Sequence, residues 1–261
     1  MSADGGPVRV SVCMATYDGA AYVEEQVGSV LAQLGPDDEL VVVDDGSHDA
    51  TPDLVDAAGD GRVRLVRHRE NAGSMRRFEE ALSLARGELL VLADQDDLWT
   101  EGRLEAMVAA LQRVDVVAGN LTTLGGPPGI RGPIGQRDWR LRPGDSRRHL
   151  ANVVGILAGA RPYYGCAMGL HRRALAALLP FPPYLVESHD LWIALHGNVA
   201  GSMEHLGRVV TERRLHGSNQ TPERPRGLRL VLRSRLMLLR ATTTLLRRRW
   251  TATRRARAAG R

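Results

Sequence analysis

Asp94-Gln95-Asp96-Asp97 crowds three carboxylates into four residues directly after the apolar run Leu89 to Ala93. Like charges this close repel, and oxygen ligands of this type suit Mg²⁺ or Mn²⁺, since Mg²⁺ commonly takes one or two carboxylates together with substrate phosphates. A divalent cation here would relieve the repulsion and neutralise charge developing on a departing diphosphate. The plain alternative is a solvated turn that caps the next helix. Asp44-Asp45-Gly46-Ser47 follows a second apolar run, Glu39 to Val43. Its carboxylates can accept from the N–H groups of a base or the hydroxyls of a ribose. Asp-Gly-Ser is also ordinary turn chemistry, with Ser47 or Asp49 as a helix cap. Thr16-Tyr17-Asp18 and Asn71-Ala72-Gly73 are further turn-like segments behind short runs.

The elements around these segments predict an α/β fold with a doubly wound, mostly parallel sheet. Val8 to Ala15, Glu39 to Val43, Val63 to Arg67 and Leu89 to Ala93 read as strands. Ala21 to Leu34, Thr51 to about Ala58 and Ser74 to Ala85 read as the helices between them, with Pro52 at a permitted first-turn position. Strand and helix in alternation imply parallel pairing, and such a sheet binds ligands at the carboxyl ends of its strands. The turns at Thr16, Asp44 and Asp94 should therefore share one rim. Farther on, a helix is expected near Glu101 to Arg113 and a strand at Val114 to Gly119. Leu124 to Arg148, rich in Gly, Pro and Arg, reads as an irregular loop over the site. Tyr163 to His171 reads as extended, Arg172 to Leu179 as helical, and a further helix begins at Leu191.

Taken together and in order, Ala15-Thr16-Tyr17-Asp18-Gly19, Val43-Asp44-Asp45-Gly46-Ser47, Asn71-Ala72-Gly73, Leu92-Ala93-Asp94-Gln95-Asp96-Asp97-Leu98-Trp99 and His189-Asp190-Leu191-Trp192 resemble family 2 glycosyltransferases over roughly residues 8 to 220. The resemblance implies the GT-A fold, a nucleotide-diphosphate sugar donor, a divalent metal and inversion at the anomeric carbon. It implies that Thr16, Tyr17, Asp18, Asp44, Asp45, Asn71 and Asp94 bind the nucleotide sugar and that Asp96 is the chief metal ligand. His216, in Arg214-Leu215-His216-Gly217-Ser218-Asn219, is a candidate second metal ligand through a neutral imidazole nitrogen, with an ordinary turn residue before Gly217 as the other reading. Inversion needs a base opposite the leaving group. The matching residue is Asp190, which can equally cap the helix behind it. Tyr163, Tyr164, Gly165, His189 and Trp192 are assigned to the acceptor, with core packing as the other reading of the tyrosines. Where the family often has Pro and Asn, this chain has Ala15 and Asp18. The motif forms look most like bacterial rhamnosyltransferase-type members that build surface polysaccharide, which suggests dTDP-rhamnose or a UDP-sugar as donor and a hydroxyl of a glycan or lipid-linked acceptor.

The chain has 261 residues, a formal net charge of +5 and no lysine. Its charge is uneven: residues 223–261 hold 13 Arg against one acid, whereas residues 1–222 hold 22 Arg against 29 acids. The expected organisation is a catalytic domain over 1–222, with a nucleotide half at about 8–120 and an acceptor half at about 121–222, followed by a basic amphipathic helical tail over 223–261. Arg226, Arg233, Arg240 and Arg247 recur every seven residues there, among Leu228, Val231, Leu232, Leu238, Leu239, Leu245 and Leu246. Such a helix either lies on an anionic membrane surface or packs on the domain. With two cysteines, Cys13 and Cys166, no disulfide framework arises. The start of the chain does not read as a secretion signal, so a cytoplasmic setting is expected, peripheral on the inner face of the membrane if the tail binds lipid. Two other functions compete. A sugar-phosphate nucleotidyltransferase would need a Gly- and Arg-rich loop where this chain has Ala15-Thr16-Tyr17-Asp18. A nucleic-acid binder would rely on the arginine tail alone, against an acidic main domain.

Overall fold

The computed structural model describes residues 7–126, 129, 130, 132, 136, 139–216 and 227–259. Among the described residues, eight strands form one sheet: β1 (Val10–Thr16), β2 (Glu39–Asp44), β3 (Val63–Arg67), β4 (Leu89–Asp94), β5 (Leu98–Trp99), β6 (Val116–Thr123), β7 (Met168–His171) and β8 (Met203–Arg213). Their order across the sheet is β3-β2-β1-β4-β7-β6-β8-β5. The helices are α1 (Val23–Leu31), α2 (Thr51–Ala57), α3 (Ser74–Leu84), α4 (Arg103–Leu111), α5 (His149–Ala158), α6 (Leu175–Leu178), α7 (His189–Ala200) and α8 (Leu228–Ala259).

The first half follows the alternation of strand and helix, and β1 to β4 all run parallel. Successive side chains on a strand point to opposite faces, so a strand covered on both faces must be apolar throughout. On one face Cys13, Val41, Val43, Leu90 and Leu92 meet Phe78 and Leu82 of α3 and Trp192 of α7. On the other, Val12, Met14, Val42 and Val91 meet Val23 and Val27 of α1 and Met107 of α4.

The second half is mixed. β7 runs antiparallel to both β4 and β6, β8 is parallel to β6, and β5 is antiparallel to β8. Neither β5 nor β8 is expected from the sequence, because β8 alternates poorly and is interrupted. Its register against β6 shifts around Asn120. The Asn120 amide turns inward to donate to Leu141 O (3.1 Å) and Leu206 O (3.0 Å). Gly119 beside it must lack a side chain, since a Cβ there would lie 2.4 Å from Val210.

The stretch read as an irregular loop is tied at its far end, where Leu141 is buried and its N–H donates to Asn120 Oδ1 (2.7 Å). A 3₁₀ turn at Pro143–Asp145 and helix α5 follow, and α5 has no counterpart in the sequence reading. Residues 127, 128, 131, 133–135, 137 and 138 of that stretch lie outside the described residues. Likewise, Tyr163 to His171 is extended only at its end, a 3₁₀ turn at Gly165–Ala167 preceding β7.

Helix α8 packs on the domain along one face. Leu238, Ala241 and Leu245 are buried in the core shared with α7. Arg248 donates to the carbonyls of Ala177 (2.7 Å), Leu178 (3.0 Å) and Pro180 (2.8 Å), capping orphaned acceptors at the end of α6. The boundary at 222/223 and Arg226 of the arginine repeat lie outside the described residues. Two adjacent leucines test the packing: Leu245→Ala should cost about 2–5 kcal/mol in urea denaturation. Leu246→Ala, on the outer face, should change stability by less than about 0.5 kcal/mol. Equal effects would mean that α8 is not docked this way.

Candidate active site

The parallel register sets the site. Thr16 pairs with Asp44, and Ala15 pairs with Asp94, so three strands end side by side and their turns converge. A cleft of about 760 Å³ opens there. Its lining includes Thr16, Tyr17, Asp18, Asp45, Asn71, Asp94, Asp96, Tyr164, Gly165, His189, Asp190 and His216.

The rim formed by the turns after β1, β2 and β3 is held by its own polar groups. Asp45 is buried and saturated: its carboxylate accepts from Ala72 N (2.7 Å), Gly73 N (2.8 Å) and Arg77 Nε (2.6 Å), which fixes the start of α3. Gln95 clasps the first turn, accepting from Tyr17 N (2.8 Å) and donating to Tyr17 O (2.9 Å). That clasp requires Gly19, where a Cβ would sit 2.4 Å from the Gln95 amide. Asp18 takes a left-handed φ of 43° while its carboxylate accepts from His48 N (2.7 Å). Tyr17 and Asn71 stand exposed at the mouth. Asp44, by contrast, faces inward and does not line the cleft. It is consumed by Thr16 Oγ1 (2.9 Å), Gly46 N (3.2 Å) and the Ser47 hydroxyl (2.5 Å), so it shapes the turn rather than reaching a ligand.

The acidic cluster lies at the cleft floor. Burial, reinforced by Asp97, Asp96 and Asp190, holds the Asp94 carboxyl well above the usual carboxylate range. Burial and Asp96 push Asp97 up to about 6. Beneath them Arg103 is wholly buried, donates to Leu92 O (2.7 Å) and lies 4.2 Å from the Trp99 ring centre, and burial lowers it to about 10. The segment after β8 closes the cluster from the side. Arg214 N donates to Asp97 Oδ1 (3.2 Å), and His216 Nε2 lies 2.7 Å from Asp96 Oδ2 with its ring stacked on Tyr22. Gly217, Ser218 and Asn219 lie outside the described residues.

These donors fit a hard divalent cation, because carboxylate oxygens dominate and one imidazole stands among them. Ligand atoms of Asp94, Asp97 and Cys166 also fall within 4.8 Å of one another. Burial and the neighbouring carboxylates raise the Cys166 thiol well above its usual value, so it stays protonated beside Asp97, and the oxygens are the better ligands.

Across the cleft, α7 begins at His189 after Ser188, whose φ of 66° is left-handed. Asp18 and Ser188 are the non-glycine residues with positive φ among the described residues, and both line the cleft. Such strain persists where surrounding structure imposes it. Asp190 lies in the first turn of α7 rather than at its N-cap, which is Ser188; its carboxylate accepts from Leu191 N (2.8 Å), and it faces the cleft and is close enough to raise Asp94. The His189 ring stacks on Phe78 with centres 4.2 Å apart, and burial lowers it to about 4, leaving it neutral. It lies against Gly165, where a Cβ would meet Nε2 at 2.6 Å.

Two residues assigned to the acceptor are not in the cleft. Tyr163 is buried behind it, its hydroxyl contacting His205 Nε2 (2.8 Å) and accepting from Asn198 (3.2 Å). Trp192 is fully buried and donates to Leu178 O (3.2 Å). Both serve core packing, the pattern of amphipathic rings with a satisfied polar end. Residues not assigned from sequence also line the cleft, among them Tyr22, Phe78 and Arg213. Arg213 is the cation that opposes the raised values of Asp94 and Asp97, and the signal for it was its place beside Arg214 at the end of a strand that went unread.

Asp97 gives the site a pH signature. An unfolded Asp titrates near about 4, so between about 4 and 6 the folded chain retains a proton that the unfolded chain has released. Stability without divalent ions should therefore fall as pH rises through that window. Denaturation midpoints in a chelator should show this slope flattened in Asp97→Asn. Coincident slopes would contradict the assignment.

The chain matches the model of glycosyl transferase family 2 over residues 11–178. It is 39% identical to the succinoglycan biosynthesis protein ExoO of Rhizobium meliloti over 99 residues, 38% of this chain and 28% of that protein. It is 29% identical to the UDP-Glc:alpha-D-GlcNAc-diphosphoundecaprenol beta-1,3-glucosyltransferase WfgD of Escherichia coli over 107 residues, 41% of this chain and 42% of WfgD. The chain thus aligns with less than half the length of these relatives. The structure of S. aureus TarS residues 1–349 in complex with UDP-GlcNAc superposes with a TM-score of 0.67 at 18% identity, covering 93% of this chain and 73% of that one, and shares its GT-A fold. With the family model spanning most of the sheet and the cleft's donor side, this chain belongs to glycosyl transferase family 2.

Proposed function

We propose that the protein is a metal-dependent, inverting glycosyltransferase that moves a sugar from a nucleotide-diphosphate donor to a hydroxyl of a glycan or lipid-linked acceptor in surface polysaccharide synthesis. The observation that carries this reading is the single cleft in which Asp94, Asp96 and Asp97 face Asp190. Domain boundaries follow the same division, with the donor half at about 8–120, the acceptor half at about 121–222 and the tail beyond. The work of the relatives supports it: WfgD uses UDP-Glc and a diphosphoundecaprenol acceptor, ExoO serves succinoglycan synthesis, and TarS was solved with UDP-GlcNAc. A UDP-sugar is accordingly the leading donor, and dTDP-rhamnose the second. Nucleotide sugars of this kind suit a cytoplasmic enzyme.

Tyr17, Asp18, Asn71 and Asp94 bind the nucleoside, on a rim that Asp45 keeps in shape. Asp96 and His216, with Asp94 and Asp97 beside them, would hold Mg²⁺ or Mn²⁺, which would supply charge neutralisation for the diphosphate leaving group. Arg213 adds positive charge on the same side. Asp190 takes the proton of the acceptor hydroxyl as its oxygen bonds to the anomeric carbon, and the carbon–oxygen bond to the diphosphate breaks with its electron pair leaving on the nucleotide. The hydrogen bond from Leu191 N holds the Asp190 carboxylate in place at the start of α7. Tyr164, Gly165 and neutral His189 border the acceptor.

Thermal-shift measurements with nucleotide sugars should give stabilisation that depends on Mn²⁺ and is lost in Asp96→Ala. No response to any nucleotide, or an undiminished metal response in Asp96→Ala, would sink the metal role. Asp190→Asn should bind donor normally while transfer falls by about 10²–10⁴-fold. Full transfer in that variant would remove Asp190 as the base.

A further inference from the structure

Helix α8 carries a second apolar face that the domain leaves uncovered. Opposite its docked residues, Leu232, Leu236, Leu239, Leu246 and Trp250 are 48–62% exposed. Their spacings of four, three, seven and four residues, with Thr243 in the gap, keep them on one line along the helix. Arg233, Arg240, Arg247 and Arg254 follow the flank of that line at seven-residue intervals. Between Leu228 and Ala259 there are ten arginines and no acidic residue.

We infer that this outer face lies in the surface of an anionic phospholipid bilayer while the inner face keeps the catalytic domain attached. A contiguous exposed apolar line marks an interaction surface. A second copy of the helix would bring ten more arginines and no carboxylate to meet them. An anionic bilayer satisfies both halves of the pattern, with leucine and tryptophan at headgroup depth and arginine at lipid phosphates. The contact lies in the plane of the surface, since no helix among the described residues is long and apolar enough to cross a membrane. Docked inner face and lipid-bound outer face are thus compatible, because they occupy opposite sides of one helix.

The attachment has a consequence for the cleft. Ser234 on α8 hydrogen-bonds Glu187, which lines the cleft beside Ser188, His189 and Asp190. Lipid binding therefore sets the acceptor rim close to the bilayer, where a lipid-linked acceptor is presented. This last step rests on the glycosyl-transfer reading, whereas the lipid contact does not.

Co-sedimentation of the full chain with vesicles tests the inference. The protein should pellet with vesicles of phosphatidylcholine and phosphatidylglycerol, remain in solution with phosphatidylcholine alone, and be released by salt. Binding should weaken on the order of a hundredfold in Arg233→Gln/Arg247→Gln/Arg254→Gln. It should also be lost in Leu239→Gln/Leu246→Gln/Trp250→Gln, with circular dichroism and the donor-induced thermal shift unchanged, because these side chains are exposed. A wild type that ignores anionic vesicles, variants that pellet like it, or a lipid-indifferent dimer that the leucine variant makes monomeric would each overturn the inference. A protein that binds vesicles but no nucleotide sugar would instead overturn the glycosyl-transfer reading and leave the lipid contact standing.

Discussion

The structure turns on the crowding of Asp94, Asp96 and Asp97 at the end of a buried central strand. Three carboxylates in a partly desolvated floor cannot all ionise without compensation. The protein supplies only part of it from its own charges. Arg103 lies beneath, Arg213 and the Arg214 N–H lie beside, and His216 reaches Asp96 directly. What stays uncompensated is expressed as the raised pKa values of Asp94 and Asp97, and that residue of negative potential is what a divalent cation with a diphosphate can use. Much of the surrounding architecture can be understood as keeping this arrangement from relaxing. Gln95 clasps the first turn, Asp45 pins the start of α3, and β8 returns the chain so that residues 214–216 arrive at the cluster.

The same logic separates residues that serve a ligand from residues that serve the loops. Asp45 lines the cleft yet spends its oxygens on two backbone N–H groups and Arg77, so its contribution is a rigid rim. Asp44 does the same for its own turn. Asp190 accepts from Leu191 N, and its side chain faces the acidic floor. Its hydrogen bond from Leu191 N and its place facing the cleft are compatible with the base role proposed for it. Neutral His189, packed between Phe78 and Gly165, gives that helix start a fixed seat.

The first half of the fold was legible from sequence because fully buried parallel strands announce themselves as apolar runs, and β1 to β4 match their expected ranges to within two residues at each end. The convergence of Thr16, Asp45 and Asp94 followed from that topology. The second half was not legible to the same degree. β8 mixes charge with apolar residues, and the irregular register at Asn120 breaks its period, so neither it nor the position of Arg213 could be read. Helix α5 was hidden behind a Gly- and Pro-rich stretch. Tyr163 and Trp192 carry the composition of a binding site and the burial of a core, and only their hydrogen bonds to Asn198 and Leu178 distinguish the two. For the tail, both expected alternatives described the same helix, with packing realised on the Leu238–Leu245 face. The family assignment tells against the nucleotidyltransferase alternative.

The acidic floor is proposed to hold a divalent cation against a nucleoside diphosphate. Crystals grown with Mn²⁺ and a nucleoside diphosphate, measured at the manganese absorption edge, test it most directly. An anomalous peak is expected within roughly 2.0–2.6 Å of an Asp96 carboxylate oxygen and of diphosphate oxygens. A nucleotide seated in the cleft with no peak at Asp96, or with the manganese bound elsewhere, would contradict it.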